Sequence, residues 1–273
     1  MTDIAARFRA LHQRGNPFIL MNVWDAGSAK VAAGLGAQAL GTTSDGQAFT
    51  LGKLDMGEIT RDEALDHAER LVAATALPVS GDFENGYGDA PDDVADTVRM
   101  AAEIGLAGCS IEDTNMADHS AYEFDLSVER VRAAASAARA LPGDFVFVAR
   151  ADGVMNGVYD MDEAIRRIRA FDEAGADCLY VPMPPSIEDL KRVCDATEKP
   201  VNALAAGPFA EVSRAEFAAL GVGRISLGSA LSKVTHAALL KAAKAILNDG
   251  NFTELLNGAS SDEVEALLTQ DRD

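Results

Sequence analysis

From end to end the chain alternates strand-like with helix-like segments, and the punctuation between them is of two kinds. Four helical segments stop at a glycine that is soon followed by a strand: Leu35-Gly36 before Ala39-Leu40, Ile104-Gly105 before Cys109–Ile111, Ala174-Gly175 before Cys178–Val181, and Leu220-Gly221 before Arg224–Leu227. Glycine reaches φ > 0 without a Cβ penalty, so it closes a helix. Three further strands are introduced by proline, in Leu77-Pro78-Val79, in Leu141-Pro142 before Phe145–Val148, and in Lys199-Pro200-Val201. Proline stops the preceding helix and is tolerated as a strand's first residue. With Phe18–Met21 this makes eight strands, each followed by a helical segment; the helices are expected near residues 26–34, 60–75, 91–104, 127–140, 160–174, 186–195, 210–220 and 230–248. Eight such units in 273 residues predict an α/β fold, a (β/α)8 TIM-type barrel. A doubly wound open sheet is disfavoured because the first turn, Trp24-Asp25-Ala26-Gly27-Ser28, lacks the G-x-G-x-x-G cradle of a dinucleotide domain.

An apolar content of 48% suffices for one large core, and nothing resembles a Pro/Ser-rich linker. The expectation is a single domain over residues 1–273, with a short helix before the first strand and a helical tail that includes residues 261–269. The formal charge of −19 argues against nucleic acid and anionic membranes, which need a basic surface. A small anionic substrate needs an arginine or a metal to reverse the potential locally. Cys109, Cys178 and Cys194 lack C-x-x-C spacing; the first two lie in apolar strand-like runs and read as small core residues, and the odd, widely spaced set fits a reducing cytoplasm. No apolar run approaches the ~20 residues of a membrane span.

In such a barrel the chemistry lies where strands end. Trp24 and Asp25 follow the first strand; Thr42, Thr43 and Ser44 the second; Asp82 and Glu84 the third; Glu112 and Asp113 the fourth; Arg150 and Asp152 the fifth; Asn202 lies near the end of the seventh. Asp82, Glu84 and Glu112 read together as oxygen ligands for a hard divalent cation such as Mg²⁺, with Mn²⁺ an equivalent occupant. Arg150 can grip a carboxylate in a bidentate fork. Asp25, just before Ala26-Gly27-Ser28-Ala29, reads as a helix cap, and Trp24 as either rim packing or a substrate wall. The four histidines show no zinc spacing; only His119 lies in a loop after a strand end.

These residues resemble the isocitrate lyase and phosphoenolpyruvate mutase superfamily, from about Ile19 to Asn202. The D-x-D-x-G-[Y/F]-G segment after strand three is here Asp82-Phe83-Glu84-Asn85-Gly86-Tyr87-Gly88. Ile111-Glu112-Asp113, Ala149-Arg150, Gly27-Ser28-Ala29-Lys30, and Leu51-Gly52 followed by Asp55 match in order. The resemblance implies a Mg²⁺ held largely through water by Asp82, Glu84 and Glu112. It implies a 2-oxocarboxylate gripped by Arg150 and the Thr43-Ser44 backbone, with Asp55 near the reacting group. It also implies a homo-oligomer, dimer or tetramer, in which helices after residue 230 are exchanged between subunits. Two features depart from the pattern. Glu84 replaces the second aspartate, and the loop carrying K-[K/R]-C-G-H in the lyases reads Thr114-Asn115-Met116-Ala117-Asp118-His119-Ser120-Ala121-Tyr122-Glu123-Phe124, without cysteine or lysine. His119, Tyr122 and Asn115 are then the candidates for moving a proton.

The function these features imply is a Mg²⁺-dependent carbon–carbon lyase acting on a small 2-hydroxy or 2-oxo di- or tricarboxylate, through a metal-stabilised enolate of a 2-oxoacid. Oxaloacetate decarboxylation, P–C hydrolysis or mutase chemistry, and metabolite binding without turnover are the alternatives.

Overall fold

A computed structural model describes residues 4–269. Helix α1 (Ile4–Leu11) precedes β1 (Phe18–Asn22), and α2 (Ala26–Gly34), β2 (Ala39–Gly41), α3 (Ser44–Thr50), α4 (Arg61–Ala74) and β3 (Val79–Asp82) follow. The middle of the chain runs α5 (Pro91–Glu103), β4 (Gly108–Glu112), α6 (Phe124–Arg139), β5 (Val146–Arg150), α7 (Met161–Ala174) and β6 (Cys178–Tyr180). The last units are α8 (Ile187–Asp195), β7 (Val201–Leu204), α9 (Arg214–Leu220), β8 (Arg224–Ser226), α10 (Ala230–Asp249) and α11 (Ser261–Leu268). All neighbouring strands are parallel, and β1 pairs with β8, so the sheet closes into an eight-stranded barrel. The sequence reading of a (β/α)8 barrel holds.

Local chemistry explains where the helices begin and end. Thr60 and Glu63 form a reciprocal capping box on α4, Asp160 accepts from the N–H groups of Asp162 and Glu163 at the start of α7, and Pro91 opens α5 where its missing N–H costs nothing. Gly175 closes α7 at φ +107, a conformation closed to most side chains. Asp25 caps α2, its Oδ1 accepting from Ser28 N–H at 2.6 Å. Three helical boundaries differ from expectation. Helix α6 starts at Phe124 rather than near 127, the segment near 210–220 divides into a 3₁₀ turn (Gly207–Glu211) and α9, and α3 was not expected at all.

Two apolar layers hold the barrel. Phe18, Leu20, Val146, Val148, Cys178 and Tyr180 take every second place on their strands and form an inner cluster, which the fully buried Phe8 of α1 joins. Residues one place along, such as Leu40, Val79, Cys109, Phe147, Ala149 and Leu179, pack outward against the helices. Small residues admit this packing: a Cβ on Gly108 would lie 3.1 Å from Phe8 and 2.4 Å from the Val146 carbonyl. Among the described residues no helix is long and apolar enough to cross a membrane.

Candidate active site

Strands β3, β4 and β5 end on Asp82, Glu112 and Arg150, so alternation brings these three side chains together at one end of the barrel. Glu112 and Arg150 are register partners, as are Asp82 and Ser110. The Arg150 guanidinium is the hub. Its Nη1 donates to Asp82 Oδ1 at 2.7 Å, and its Nη2 lies 2.9 Å from Glu112 Oε2 and 2.5 Å from Asp152 Oδ2. Its Nε donates to Asp152 Oδ1 at 3.1 Å, which completes a two-point fork. Asp152, wholly buried, is itself held: its N–H donates to Asp113 Oδ1 at 2.8 Å, while Asp113 Oδ2 receives Tyr159 Oη–H and Arg167 Nη1 at 2.8 Å each.

Asp82 is gripped from a second side. Ser44 donates to its Oδ2 through N–H at 3.2 Å and Oγ–H at 3.1 Å, and the Asp82 N–H donates to Thr42 Oγ1 at 2.7 Å. Thr43 caps α3, its Oγ1 accepting from Gly46 N–H at 3.3 Å. The α3 helix thus sets Ser44 against Asp82.

Glu84 sits at φ +42 in the turn after β3, an uncommon conformation for a residue with a side chain. Its Oε1 accepts a long bond from Gly57 N–H at 3.4 Å, and its Oε2 is buried without a partner. Burial, then the charges of Asp82 and Asp55, push its carboxyl up to about 7. Burial also lifts Asp55, with Asp82 adding to it, and Asp55 Oδ1 is likewise buried without a partner. Glu112 is raised well above the carboxylate range, by burial first and by Asp152 next, with Arg150 opposing. The guanidinium of Arg150, although burial works against its charge, is lifted by Asp152, Glu112 and Asp82.

Asp55, Thr43, Ser44, Asp82 and Arg150 share the wall of one cavity of about 670 Å³. Glu84 and Glu112 are buried and are not in its lining. Two residues expected at the site lie elsewhere. Asn202 is wholly buried inside the barrel, where its Oδ1 accepts from Arg224 Nε and its Nδ2 donates to Ser226 Oγ, each at 2.8 Å; it is not in the cavity wall. Trp24 lies beside His67 and Gln47 on a separate cleft of about 370 Å³, its carbonyl bonded to His67 Nε2 at 2.8 Å. The proton-transfer candidates of the loop after β4 are also outside the cavity wall. The Tyr122 hydroxyl donates to Asp89 at 2.5 Å, accepts from Asn85 at 2.9 Å and is pushed up to about 12, chiefly by burial. His119 is exposed at φ +59, and the Asn115 side chain accepts from Ala117 N–H.

Sequence reasoning passed over Arg224, Ser226 and Lys233, which also line the cavity. The i, i+2 spacing of Arg224 and Ser226 on β8 is the signal that could have placed both inside the barrel.

The acids test whether a cation fits. Arg150 answers Asp82, Glu112 and Asp152, whereas Glu84 and Asp55 have no ion pair among the described residues and each keeps a buried oxygen unpartnered. Such a cluster suits a hard divalent ion. Among the described residues no three His, Cys, Asp or Glu side chains are disposed to ligate one directly, so these acids would act through water.

A (β/α)8 barrel with charged side chains gathered at its strand ends is a framework on which enzymes build an active site. Residues 8–247 match the Phosphoenolpyruvate phosphomutase family, and the chain belongs to it, within the isocitrate lyase and phosphoenolpyruvate mutase superfamily. It is 30% identical over 257 residues to 2,3-dimethylmalate lyase of Eubacterium barkeri, covering 90% of this chain and 87% of that one. Oxaloacetate decarboxylase of Chromohalobacter salexigens is 30% identical over 251 residues, covering 89% of this chain and 83% of its own. Among solved structures, a putative lyase/mutase from Burkholderia cenocepacia superposes with a TM-score of 0.93 at 44% identity, over 98% of this chain and 96% of the other.

Proposed function

We propose that the chain is a Mg²⁺-dependent carbon–carbon lyase that cleaves a small 2-hydroxy or 2-oxo di- or tricarboxylate and releases a 2-oxoacid by way of its enolate. The observation that carries this reading is the pair of buried, unpartnered carboxylate oxygens, Glu84 Oε2 and Asp55 Oδ1, beside the Arg150 hub. Asp82, Glu84 and Glu112 would hold Mg²⁺ through water; Mn²⁺ would serve equally. Bound there, the ion supplies Lewis-acid polarisation of the substrate's keto oxygen. Arg150 and the Thr43-Ser44 segment fix the substrate carboxylate, and because their carboxylate partners already orient them, little reorganisation accompanies charge build-up on the departing fragment. Asp55, raised by burial and facing the cavity, is the residue placed to accept or return a proton through Oδ1.

The second reading, oxaloacetate decarboxylation, is favoured by the loop after β4, which has no cysteine or lysine, and by the decarboxylase relative. One panel separates the two. Isocitrate, methylisocitrate, dimethylmalate, oxaloacetate and phosphonopyruvate are each incubated with and without Mg²⁺, and released 2-oxoacid or glyoxylate is measured against a Glu112→Ala control. Cleavage of a branched hydroxy acid that needs both Mg²⁺ and Glu112 supports the lyase. Turnover of oxaloacetate alone moves the assignment to the decarboxylase.

The exposed apolar residues Val234, Leu239, Leu240 and Leu247 of α10, with Phe252, Leu255 and Leu256 beyond it, support assembly into a homo-oligomer in which a second copy covers this face. Free, buried Cys109, Cys178 and Cys194 support a cytoplasmic location.

A further inference from the structure

The cavity wall contains a second arginine that the proposed chemistry leaves idle. Arg224 opens β8, paired in register with Phe18 of β1 and Asn202 of β7, and is only 3% exposed. Its Nε is pinned to Asn202 Oδ1 at 2.8 Å, and Asn202 is pinned in turn to Ser226 Oγ at 2.8 Å. No carboxylate among the described residues pairs with it, and its Nη1 is buried with no acceptor. Burial holds this guanidinium below the usual arginine range.

Among the described residues no ion pair engages Arg224; the charge of Asp82 favours its guanidinium without pairing with it, and the charge of Arg150 opposes it. The β1 partner of Arg224 is the ring of Phe18, and His12, which packs edge-on against that ring, is kept neutral by burial and by the charge of Arg224 itself. Arg150 is also buried, but three carboxylates already engage it in ion pairs. Of the two cavity arginines, Arg224 is the one with donors to spare.

We infer that Arg224 is the anion-binding floor of the cavity and receives the second carboxylate of a dicarboxylate substrate whose 2-oxo or 2-hydroxy acid end lies against Arg150. The inference rests on the 2-oxoacid reading above. A buried cation without a counter-ion destabilises the empty protein, and a carboxylate forming charge-assisted bonds to it offsets that cost in a medium of low dielectric. A substrate with an apolar tail would leave the guanidinium unpaired, so the floor selects by penalising the wrong ligand as well as by binding the right one. Asn202, which the sequence puts near the end of the seventh strand among the candidate site residues, becomes the residue that positions Arg224.

Calorimetric titration in Mg²⁺ tests the assignment with two probes, oxalate, which can occupy only the oxoacid end, and 3,3-difluorooxaloacetate, which adds a second carboxylate. For Arg224→Met the expected result is roughly 10–100-fold weaker binding of difluorooxaloacetate, the worth of a charge-assisted hydrogen bond, with oxalate changed less than about twofold. Arg224→Lys, which keeps the charge and guards against a fold defect in the first variant, should fall between. Equal weakening of both probes in both variants, or no weakening of difluorooxaloacetate in either, would overturn the floor while leaving the oxoacid site intact. If the unsubstituted protein fails to bind oxalate, the 2-oxoacid reading itself fails and the floor falls with it.

Discussion

His12 gives the barrel base a calculable pH dependence. Its ring lies edge-on to Phe8 at 4.7 Å and to Phe18 at 4.9 Å, with Nδ1 2.9 Å from the Phe8 carbonyl and Nε2 buried without a partner. Burial, then the nearby charge of Arg224, lowers its pKa from 6.5 to about 3. A lowered histidine means that the unfolded chain binds a proton which the native state refuses. Stability therefore falls as the pH drops from about 6.5 towards about 3, at ~1.4 kcal/mol per pH unit for this one group. Between pH 8 and pH 5 the contribution lost is about 2 kcal/mol. Urea unfolding followed by circular dichroism at the two pH values, on the natural chain and on His12→Leu, isolates the term, because other titrating groups are shared. The variant's loss of stability over that interval should be smaller by about 2 kcal/mol. Identical pH dependence in the two proteins would refute the account of a neutral histidine beneath Arg224.

Replacing Asp152 by Asn removes the charge that forks Arg150 while relieving its repulsion of Glu112; with contacts at 2.5 and 3.1 Å the attraction should win, and thermal melts should show a loss of about 1–3 kcal/mol. The same variant should lower kcat/KM in the panel assay, since Arg150 loses its orientation. Phe8→Ala opens a void in the inner cluster and should cost about 3–5 kcal/mol by denaturant unfolding. Leu247→Glu, at a position 82% exposed in one copy, should reduce the particle mass seen by light scattering while preserving the circular dichroism of the monomer; an unchanged mass would place the contact face elsewhere.

The barrel was legible because its punctuation is chemical. Gly175 and Gly221 close helices at φ +107 and +93, and Pro78, Pro142 and Pro200 precede β3, β5 and β7. Asp82, Glu112 and Arg150 were legible as neighbours because each ends its strand, and parallel register does the rest. Helix α3 was not, because Ser44-Asp45-Gly46-Gln47-Ala48-Phe49-Thr50 has weak helix formers and no apolar period; the Thr43 cap and burial of Gly46, Gln47 and Ala48 sustain it. Asn202 and Trp24 lie off the cavity wall for a related reason. Whether a residue near a strand end faces the cavity depends on strand length and stagger, which sequence spacing leaves open: β7 continues two residues past Asn202, and β1 ends two residues before Trp24. Arg224 is not legible as a strand-end residue, because its long side chain reaches the cavity from the beginning of β8.

The most direct test of the account is calorimetric titration of Mg²⁺ into metal-stripped protein in the presence of oxalate, on the natural chain and on Glu112→Gln. The account predicts a saturable, one-to-one binding isotherm for the natural chain and its loss in the variant, with both proteins melting cooperatively. Mg²⁺ binding that is absent from the natural chain, or equally tight in Glu112→Gln, would contradict it.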